Sequence, residues 1–328
     1  MNQTELLGKL SEIKDKIQRK FPSWLNLLLW KAKMFKMPGQ RVSYITCAGK
    51  TDGIGAQAQA VLSTMLFAKE FGLIYAHTPF QEIAHNIDKA AAARKWEDFL
   101  GLGQGEIRVD DLNIDQLNVV SVDSPKQIRN IKNTLYVIKH CHDFADEFPN
   151  CYSKLERQIL QKYGSLQRDV REVKKQPGQV NVSIHIRRGD VDSSRGGRFT
   201  DNKCYYNILT DILSVLDSLQ LSASIHLYSQ GVVEDFSELR EFNLSYHLDE
   251  CPFETFHHLV STDLLVMSKS SFSYSAALLS SSIKLYQPFW HKPLADWIVV
   301  DTKSSNTQAN FDKSRLSKQL ATIVPRPQ

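Results

Sequence analysis

A strand, a glycine-rich turn, a helix and a second strand follow one another in residues 42–76, which read VSYITCAGKTDGIGAQAQAVLSTMLFAKEFGLIYA. The first six residues are rich in β-branched and aromatic side chains, which favours a strand. Residues 56–71 contain neither glycine nor proline, so we expect a helix there and a strand at 73–76. A strand–helix–strand unit at this spacing predicts parallel pairing.

The same alternation continues to residue 287. We predict further strands at 117–122, 135–138, 180–186, 223–228, 244–248, 264–267 and 283–287, and helices at 90–100, 152–163, 205–219, 233–242, 253–260 and 273–281. A polar Pro-Gly segment at 174–179 is the predicted boundary between domains 1–175 and 176–328. The pattern predicts an α/β chain of two Rossmann-like domains with a central cleft, in which ligands bind beyond the carboxyl ends of the strands.

The composition excludes several classes of protein. The chain has 328 residues, of which 42% are hydrophobic and 23% charged, as in ordinary soluble globular proteins. Its net charge of +4 is too dispersed for a duplex nucleic-acid binder, so we expect no nucleic-acid partner. The five cysteines lack CxxC or zinc-type spacing, and we expect reduced, mostly buried thiols.

The N-terminal segment is basic and amphipathic. Leu6, Leu10, Ile13 and Ile17 recur at helical spacing among lysines. Together with residues 24–30, this helix could lie on an anionic membrane surface; the alternative is that it packs on its own domain. The sequence has neither a signal-peptide pattern nor a run of about 20 apolar residues. We therefore expect a cytoplasmic protein, with peripheral contact to the inner membrane surface as an added option.

The clearest functional pattern is His185-Ile-Arg-Arg-Gly-Asp190, at the end of a predicted strand. His185 and Arg187 alternate with apolar residues and so share one side of the chain. A guanidinium group offers a planar fork of donors that fits a phosphate and stays charged. Gly189 permits a sharp turn, and Asp190 could orient an arginine. The alternative interpretation is a strand end held by salt bridges.

A second pattern, Ser268-Lys-Ser-Ser-Phe-Ser273, lies between a predicted strand and a helix. Serine hydroxyls and the free backbone N–H groups of a helix N-terminus can bind an anion. The alternative is plain N-capping by serine. Because both patterns follow strands of one α/β domain, together they predict a diphosphate site.

A third pattern, Gly53-Ile-Gly-Ala-Gln57, is a weak dinucleotide signal, because the position three after Gly55 is Ala58 and the GxGxxG spacing is absent. It could still let a ligand approach backbone amides.

The remaining candidates favour structural roles. His140-Cys-His142 and His257-His258 lack a second pair of ligands, so we predict no metal site. Asp52 and Asp201 could each serve as a general base, or be solvated or capping carboxylates. The basic stretch 313–318 is predicted to be a helix face that packs back on the first domain.

The three patterns resemble the motifs of GDP-fucose-dependent fucosyltransferases, a group that includes the α-1,2 and α-1,6 enzymes and the protein O-fucosyltransferases. The residues 185–190 are similar to the group's His-x-Arg-Arg-Gly-Asp signature, residues 263–273 to its SSFS turn and residues 53–57 to its GxGNQ turn. The chain differs at Ala56, where the group has Asn, and at Tyr274-Ser275, where α-1,2 enzymes often have an aromatic pair.

The resemblance implies a GT-B fold and inverting, metal-independent transfer of fucose from GDP-β-L-fucose to a glycan hydroxyl, with an α-1,2 linkage favoured. GDP-fucose is then a substrate, and no cofactor is expected. Arg187 is assigned the catalytic role, holding the β-phosphate, with His185 near the ribose or guanine and Arg188 and Asp190 supporting the loop. The donor-binding residues implied are His185, Arg187, Arg188, Asp190, Ser270, Ser271, Phe272, Ser273, Gly53, Gly55 and Gln57.

Three alternatives stay open. The chain could be a transferase for another sugar nucleotide or carry a sulfotransferase-like anion site. It could be a non-catalytic protein that binds a nucleotide sugar or a glycan. A nucleic-acid binder would show steeply salt-dependent binding.

Overall fold

The computed structural model describes residues 23–34, 43–84, 86–129, 131–172, 178–194, 197–302 and 309–323. The predicted helix over residues 6–17 and the domain boundary at residue 175 lie outside these ranges. None of the helices in the described ranges combines the length and the apolar character that crossing a membrane requires.

The first half of the chain builds a five-stranded parallel sheet in the order β3-β2-β1-β5-β4. Its strands are β1 Ser43–Cys47, β2 Ile74–His77, β3 Ile107–Arg108, β4 Asn118–Val122 and β5 Thr134–Ile138. The helices of this half are α1 Ser23–Met34, α2 Ile54–Phe71, α3 Lys89–Leu100, α4 His142–Glu147 and α5 Glu156–Gly164.

The second half builds a six-stranded parallel sheet in the order β11-β10-β9-β6-β7-β8. Its strands are β6 Gln179–His185, β7 Ser222–Ser229, β8 Leu244–Leu248, β9 Leu264–Val266, β10 Ile283–Tyr286 and β11 Ile298–Val299. The helices are α6 Asn202–Ser218, α7 Pro252–Ser261, α8 Ser271–Leu278 and α9 Lys313–Ile323, and a short antiparallel pair joins β12 Asp301–Thr302 to β13 Ala309–Asn310.

This architecture confirms the predicted α/β class and the parallel sheets. The strand order of the second sheet is that of a Rossmann fold, and it reverses between β6 and β9. In open α/β sheets, ligands bind beyond the carboxyl ends of the strands at such a reversal. A ligand site is therefore expected at the loops that follow β6 and β9.

The two halves share one apolar core. A single cluster of buried side chains extends from Ile45 in β1 to Trp297 just before β11, whereas a second cluster, from Val180 to Leu320, belongs to the second half alone. The closest packing between the halves joins α2 to α8. There the hydroxyl of Ser275 donates to the carbonyl oxygen of Gly55 at 2.7 Å.

Helix α1 packs on its own half. The Trp30 ring lies 5.5–6.1 Å from the rings of Phe67, Phe71 and Phe144. The ammonium group of Lys31 pairs with the Glu70 carboxylate at 2.7 Å. For this part of the N-terminal segment, the structure supports the alternative of packing on its own domain.

Three local predictions differ from the structure. Residues 233–239 form a 3-10 segment instead of a helix to 242, because Phe236 takes a non-helical φ of −118° as its ring enters the core. A 3-10 turn at 149–154 precedes α5 where one helix was expected. The C-terminal helix α9 packs on α6 of the second half rather than on the first domain, because Leu316 and Leu320 complete the second core.

All five cysteines are free thiols in the structure. Cys47, Cys141, Cys151 and Cys204 are buried, and Cys251 is exposed. This agrees with the prediction of reduced, mostly buried thiols.

Candidate functional site

The Arg187 side chain leaves the chain just beyond the end of β6. Its Nε and Nη2 atoms donate to the two carboxylate oxygens of Asp190, at 3.1 and 2.7 Å. Gly189 makes this return possible because its φ is +77°, a conformation that favours glycine. The Asp190 carboxylate thus fixes one edge of the guanidinium fork, whose outer edge points away from this pair.

The Arg188 side chain turns away from the edge of the sheet and contacts the segment that leads into α6. Its Nη2 atom donates to the carbonyl oxygen of Thr200 at 3.0 Å and to Oδ1 of Asn202 at 2.7 Å, and its guanidinium lies 4.5 Å from the Phe199 ring centre. Burial lowers the pKa of Arg188 below its usual value. These contacts hold the 187–190 loop against the start of α6.

His185 connects the two sequence patterns. Its Nδ1 atom shares a hydrogen bond of 2.8 Å with the Ser268 hydroxyl, and its ring centre lies 5.6 Å from that of Phe272. Burial, helped by the charge of Arg187, lowers the pKa of His185 to about 3. The imidazole is therefore neutral at physiological pH and can act as a hydrogen-bonding group.

The serine pattern forms the N-terminus of α8, next to β6. The Ser270 hydroxyl accepts from the backbone N–H of Phe272 at 3.2 Å and so caps the helix. The Ser273 hydroxyl is buried and donates to the carbonyl oxygens of Ser268 and Ser270, both at 3.3 Å. Half-buried Ser271 and Phe272 form the first turn. The hydroxyls of Ser270 and Ser273 therefore shape the turn, and the helix end presents its backbone dipole to the edge of the sheet.

The glycine pattern of the first half packs directly on this turn. A Cβ atom added at Gly55 would lie 2.4 Å from the backbone nitrogen of Phe272 and 2.5 Å from the carbonyl carbon of Ser271. At Gly53, by contrast, an added Cβ atom meets nothing within 4 Å. The close approach that Gly55 permits is thus to the helix α8, which the sequence could not foresee.

The side chain of Gln57 is hydrogen-bonded within the first half of the chain. Its buried Nε2 atom donates to the carbonyl oxygens of Asp52 and Glu82, both at 2.7 Å. The assignment of Gly53, Gly55 and Gln57 as donor-binding residues stays a prediction.

A histidine cluster that sequence reasoning assigned to structure joins the halves beyond β5 and β10. The rings of His140 and His142 stack at 4.2 Å, and His142 meets the ring of His291 at 4.9 Å. Nδ1 of His291 lies 3.2 Å from an Asp146 carboxylate oxygen. Only the His140-Cys-His142 spacing signalled this cluster in the sequence; His291 gave none.

Burial lowers the pKa of His140, and it lowers that of His142 to about 2. Both rings are therefore neutral. Over the described residues, no group of three or more His, Cys, Asp or Glu side chains is arranged to hold a metal ion.

The two carboxylates named as candidate bases have local partners. Asp201 caps α6 by accepting from the backbone N–H of Lys203 at 2.9 Å. Asp52 pairs with the ammonium group of Lys50 at 2.6 Å. Lys50 follows β1, next to the strand that leads to His140, so these groups lie at the carboxyl edge of the first sheet.

Comparison with known proteins gives similarity to solved structures only. No protein-family model and no curated protein matches the chain. The alignment with the fucosyltransferase NodZ from Bradyrhizobium has 10% identity, covers 84% of this chain and 99% of the other and has a TM-score of 0.39. The alignment with POFUT1 in complex with GDP has 11% identity, covers 75% of this chain and 97% of the other, and has a TM-score of 0.35. The alignment with Arabidopsis thaliana FUT1, an R284K mutant in complex with GDP, has 11% identity, covers 88% of this chain and 78% of the other, and has a TM-score of 0.39.

Proposed function

We propose that this chain is a glycosyltransferase that moves fucose from GDP-β-L-fucose to a glycan hydroxyl. The observation that carries the proposal is the placement of Arg187 and the α8 N-terminus on β6 and β9, the two adjacent strands at which the order of the second sheet reverses. A charged fork beside a helix N-terminus suits a diphosphate. The similar solved structures include the fucosyltransferase NodZ, POFUT1 in complex with GDP and POFUT1 in complex with GDP-fucose, which agrees with the proposal.

The proposed reaction is a single displacement with inversion. The acceptor oxygen attacks the anomeric carbon of fucose, the bond from that carbon to the phosphate oxygen breaks, and GDP leaves with the electron pair. Negative charge grows on the leaving diphosphate, where Arg187 and the backbone N–H groups of α8 stabilise it. These donors can supply the charge compensation that a metal ion supplies elsewhere, so we propose a metal-independent reaction.

His185, neutral beside Ser268, would meet the ribose or guanine of the donor as a hydrogen-bonding group. Asp190 would orient Arg187, and Arg188 would hold the loop. Ser270, Ser271, Phe272 and Ser273 would place the helix end against the diphosphate.

The acceptor would lie on the first sheet, at the carboxyl ends of β1 and β5. His140 is the best candidate there for accepting the proton of the attacking hydroxyl, because its lowered pKa keeps the imidazole neutral. Asp52, paired with Lys50, is the alternative base. An α-1,2 linkage is the preferred choice, which follows from the sequence resemblance.

We propose a cytoplasmic location. Peripheral contact with the inner membrane surface would use the exposed side of α1, where Leu28 and Leu29 are 52% and 53% exposed.

The first experiment measures thermal stability with GDP-fucose, GDP-mannose, GDP and UDP-glucose. A ligand at about 100 times its Kd stabilises the fold by roughly 2.7 kcal/mol. We expect a shift with the guanine nucleotides, largest for GDP-fucose, that is lost in Arg187→Ala. Arg240→Ala is the matched control, because Arg240 lies in the same half with its side chain 58% exposed.

The outcomes separate the alternatives. A shift with UDP-glucose alone would indicate another sugar nucleotide, and binding without fucose transfer or GDP-fucose hydrolysis would indicate a non-catalytic binding protein. The absence of a shift with any guanine nucleotide would overturn the proposal.

A further inference from the structure

A cavity of about 250 Å³ lies between the two halves, near the amino ends of β10 and β11. Ser280 and Lys284 line it close to the start of β10, and Trp297 lines it just before β11. Arg187 and the α8 N-terminus lie beyond the carboxyl ends of β6 and β9, at the opposite edge of the same parallel sheet. The cavity is therefore distinct from the proposed donor site.

The cavity contains a buried lysine. The Lys284 side chain is only 4% exposed, and its ammonium group donates to the backbone carbonyl oxygen of Ser280 at 2.7 Å. That acceptor is neutral and supplies no full counter-charge. Burial lowers the pKa of Lys284, while Asp296 and Glu156 act in the opposite direction. An anion bound beside the ammonium group would compensate a charge that is costly to bury.

The walls of the cavity are mostly apolar. Ile159 and Trp297 are each 1% exposed and Leu278 is 4% exposed, and they come from both halves of the chain. These side chains suit a hydrocarbon or aromatic body. Ligand pockets of this kind combine apolar walls with a few polar groups that fix the orientation of the ligand.

Two carboxylates lie on the solvent side of the cavity. Glu156 and Asp296 line it and are exposed. A carboxylate beside Lys284 is attracted by the ammonium group, whereas a second negative charge on the ligand would meet only the repulsion of these two carboxylates, so the cavity favours a single charge. Its volume is below the roughly 300–1,000 Å³ of pockets for drug-sized ligands, which favours a small molecule.

We propose that this cavity binds a small monocarboxylate with an apolar body, whose carboxylate pairs with the ammonium group of Lys284. The apolar body packs between the α5 side of the first half and the C-terminal end of α8. Such a ligand would contact both halves at once. The proposal stands on the cavity alone and does not depend on the identity of the sugar donor.

Ligand-detected NMR with benzoate tests the proposal on the full chain, with benzyl alcohol as the uncharged analogue. Benzoate has nine non-hydrogen atoms, and for a fragment of this size we expect a Kd on the order of 1 mM. Benzyl alcohol should bind at least about tenfold more weakly, which is the loss of one favourable charged contact. Lys284→Met keeps an unbranched side chain of similar length without the charge, and should lose the preference for benzoate.

Lys313→Met is the matched control, because Lys313 is a surface lysine of α9 that pairs with Asp211 at 2.6 Å and does not line the cavity. It should bind benzoate as the wild type does. Equal benzoate binding in Lys284→Met and the wild type, or no binding at roughly ten times the expected Kd, would overturn the proposal.

A second variant keeps the test decisive if Lys284→Met fails to fold. Glu156→Gln with Asp296→Asn changes only exposed side chains and removes the negative charges around the cavity. Phthalate, a dicarboxylate, should bind the wild type more weakly than benzoate does and should gain more affinity than benzoate in this double variant. Phthalate binding that is as tight as benzoate binding in the wild type would contradict the proposed selectivity for one charge.

Discussion

Arg187 is the residue on which the proposed chemistry depends most. Its guanidinium group is held by both oxygens of Asp190, which leaves it fixed in direction while its outer edge is available for a ligand. Preorganised donors of this kind act mainly on the transition state, because they need no reorientation as charge develops.

Arg187→Ala should lower kcat for fucose transfer by about 10²-fold or more, since it removes one preorganised donor to the leaving diphosphate. The measurement is the release of GDP from GDP-fucose in the presence of an acceptor, with Arg240→Ala as the control. Near wild-type activity in Arg187→Ala would remove Arg187 from the mechanism.

Asp190→Asn should weaken GDP binding about tenfold, because the amide offers one acceptor where the carboxylate offers two charged ones. Isothermal titration with GDP measures this change. The opposite result, tighter binding, would mean that Asp190 competes with the phosphate for the guanidinium group rather than orienting it.

Sequence reasoning could place Arg187 and Ser270 because both lie in loops that follow strands, and the carboxyl ends of parallel strands meet at one edge. It could not place His291 beside His142. That contact depends on how the two halves pack, and nothing in the local sequence around either residue encodes it.

At the scale of elements, the contact between α2 and α8 links the first half to the proposed donor site. Gly55 and Ser275 are 220 residues apart in the sequence, yet their backbone and side chain share a hydrogen bond. Because Gly55 lies against the backbone of Ser271 and Phe272, the glycine turn supports the helix end that would bind the diphosphate.

Gly55→Ala should destabilise the fold by about 1–3 kcal/mol, the usual cost of an extra methyl group in a packed site, and should also weaken GDP binding. Gly164→Ala is the matched control, since Gly164 is exposed at the end of α5, its φ is not positive, and the added methyl group meets no atom within 4 Å. Urea denaturation and a GDP titration measure both effects. Equal behaviour of the two variants would contradict the support role of Gly55.

Most strands and helices were predictable from local pattern because their apolar runs end at glycine, proline or polar turns. The segment 233–239 was not, because Phe236 takes a non-helical backbone conformation as its ring enters the core, which the local pattern does not reveal. The docking of α9 was also unpredictable. An amphipathic helix shows that it must bury one face, but not which half of the molecule receives it.

At the scale of the whole molecule, buried histidines make stability depend on pH. His142, His185 and His226 have pKa values lowered to about 2, 3 and 4, mainly by burial, from an ordinary value near 6.5. Above pH 6.5 these residues are neutral in both the folded and the unfolded chain. Between pH 6.5 and about 4, these histidines bind protons in the unfolded chain but not in the folded one, so the free energy of unfolding falls as the pH falls.

His226→Asn should reduce the number of protons taken up on unfolding by up to one, because it removes one of the titrating groups. The free energy of unfolding should then fall less steeply as the pH falls. Ser224→Ala is the control, since it removes a hydroxyl bonded to His226 at 3.0 Å but keeps the imidazole. Urea midpoints at pH 7, 6 and 5 provide the measurement. A slope unchanged by His226→Asn would show that His226 binds its proton equally in the folded and the unfolded chain, and so that burial does not lower its pKa.

The apolar core that spans both halves restricts how this chain can be recombined. In a modular protein, one domain can be replaced by a distant counterpart because few contacts cross the boundary. Here α8, which meets Gly55 of α2, buries its apolar side chains in the cluster that both halves share and contributes none to the cluster of the second half alone. A chimera that takes its second half from a related chain would therefore need α2 from that chain as well. The two helices have to be exchanged together.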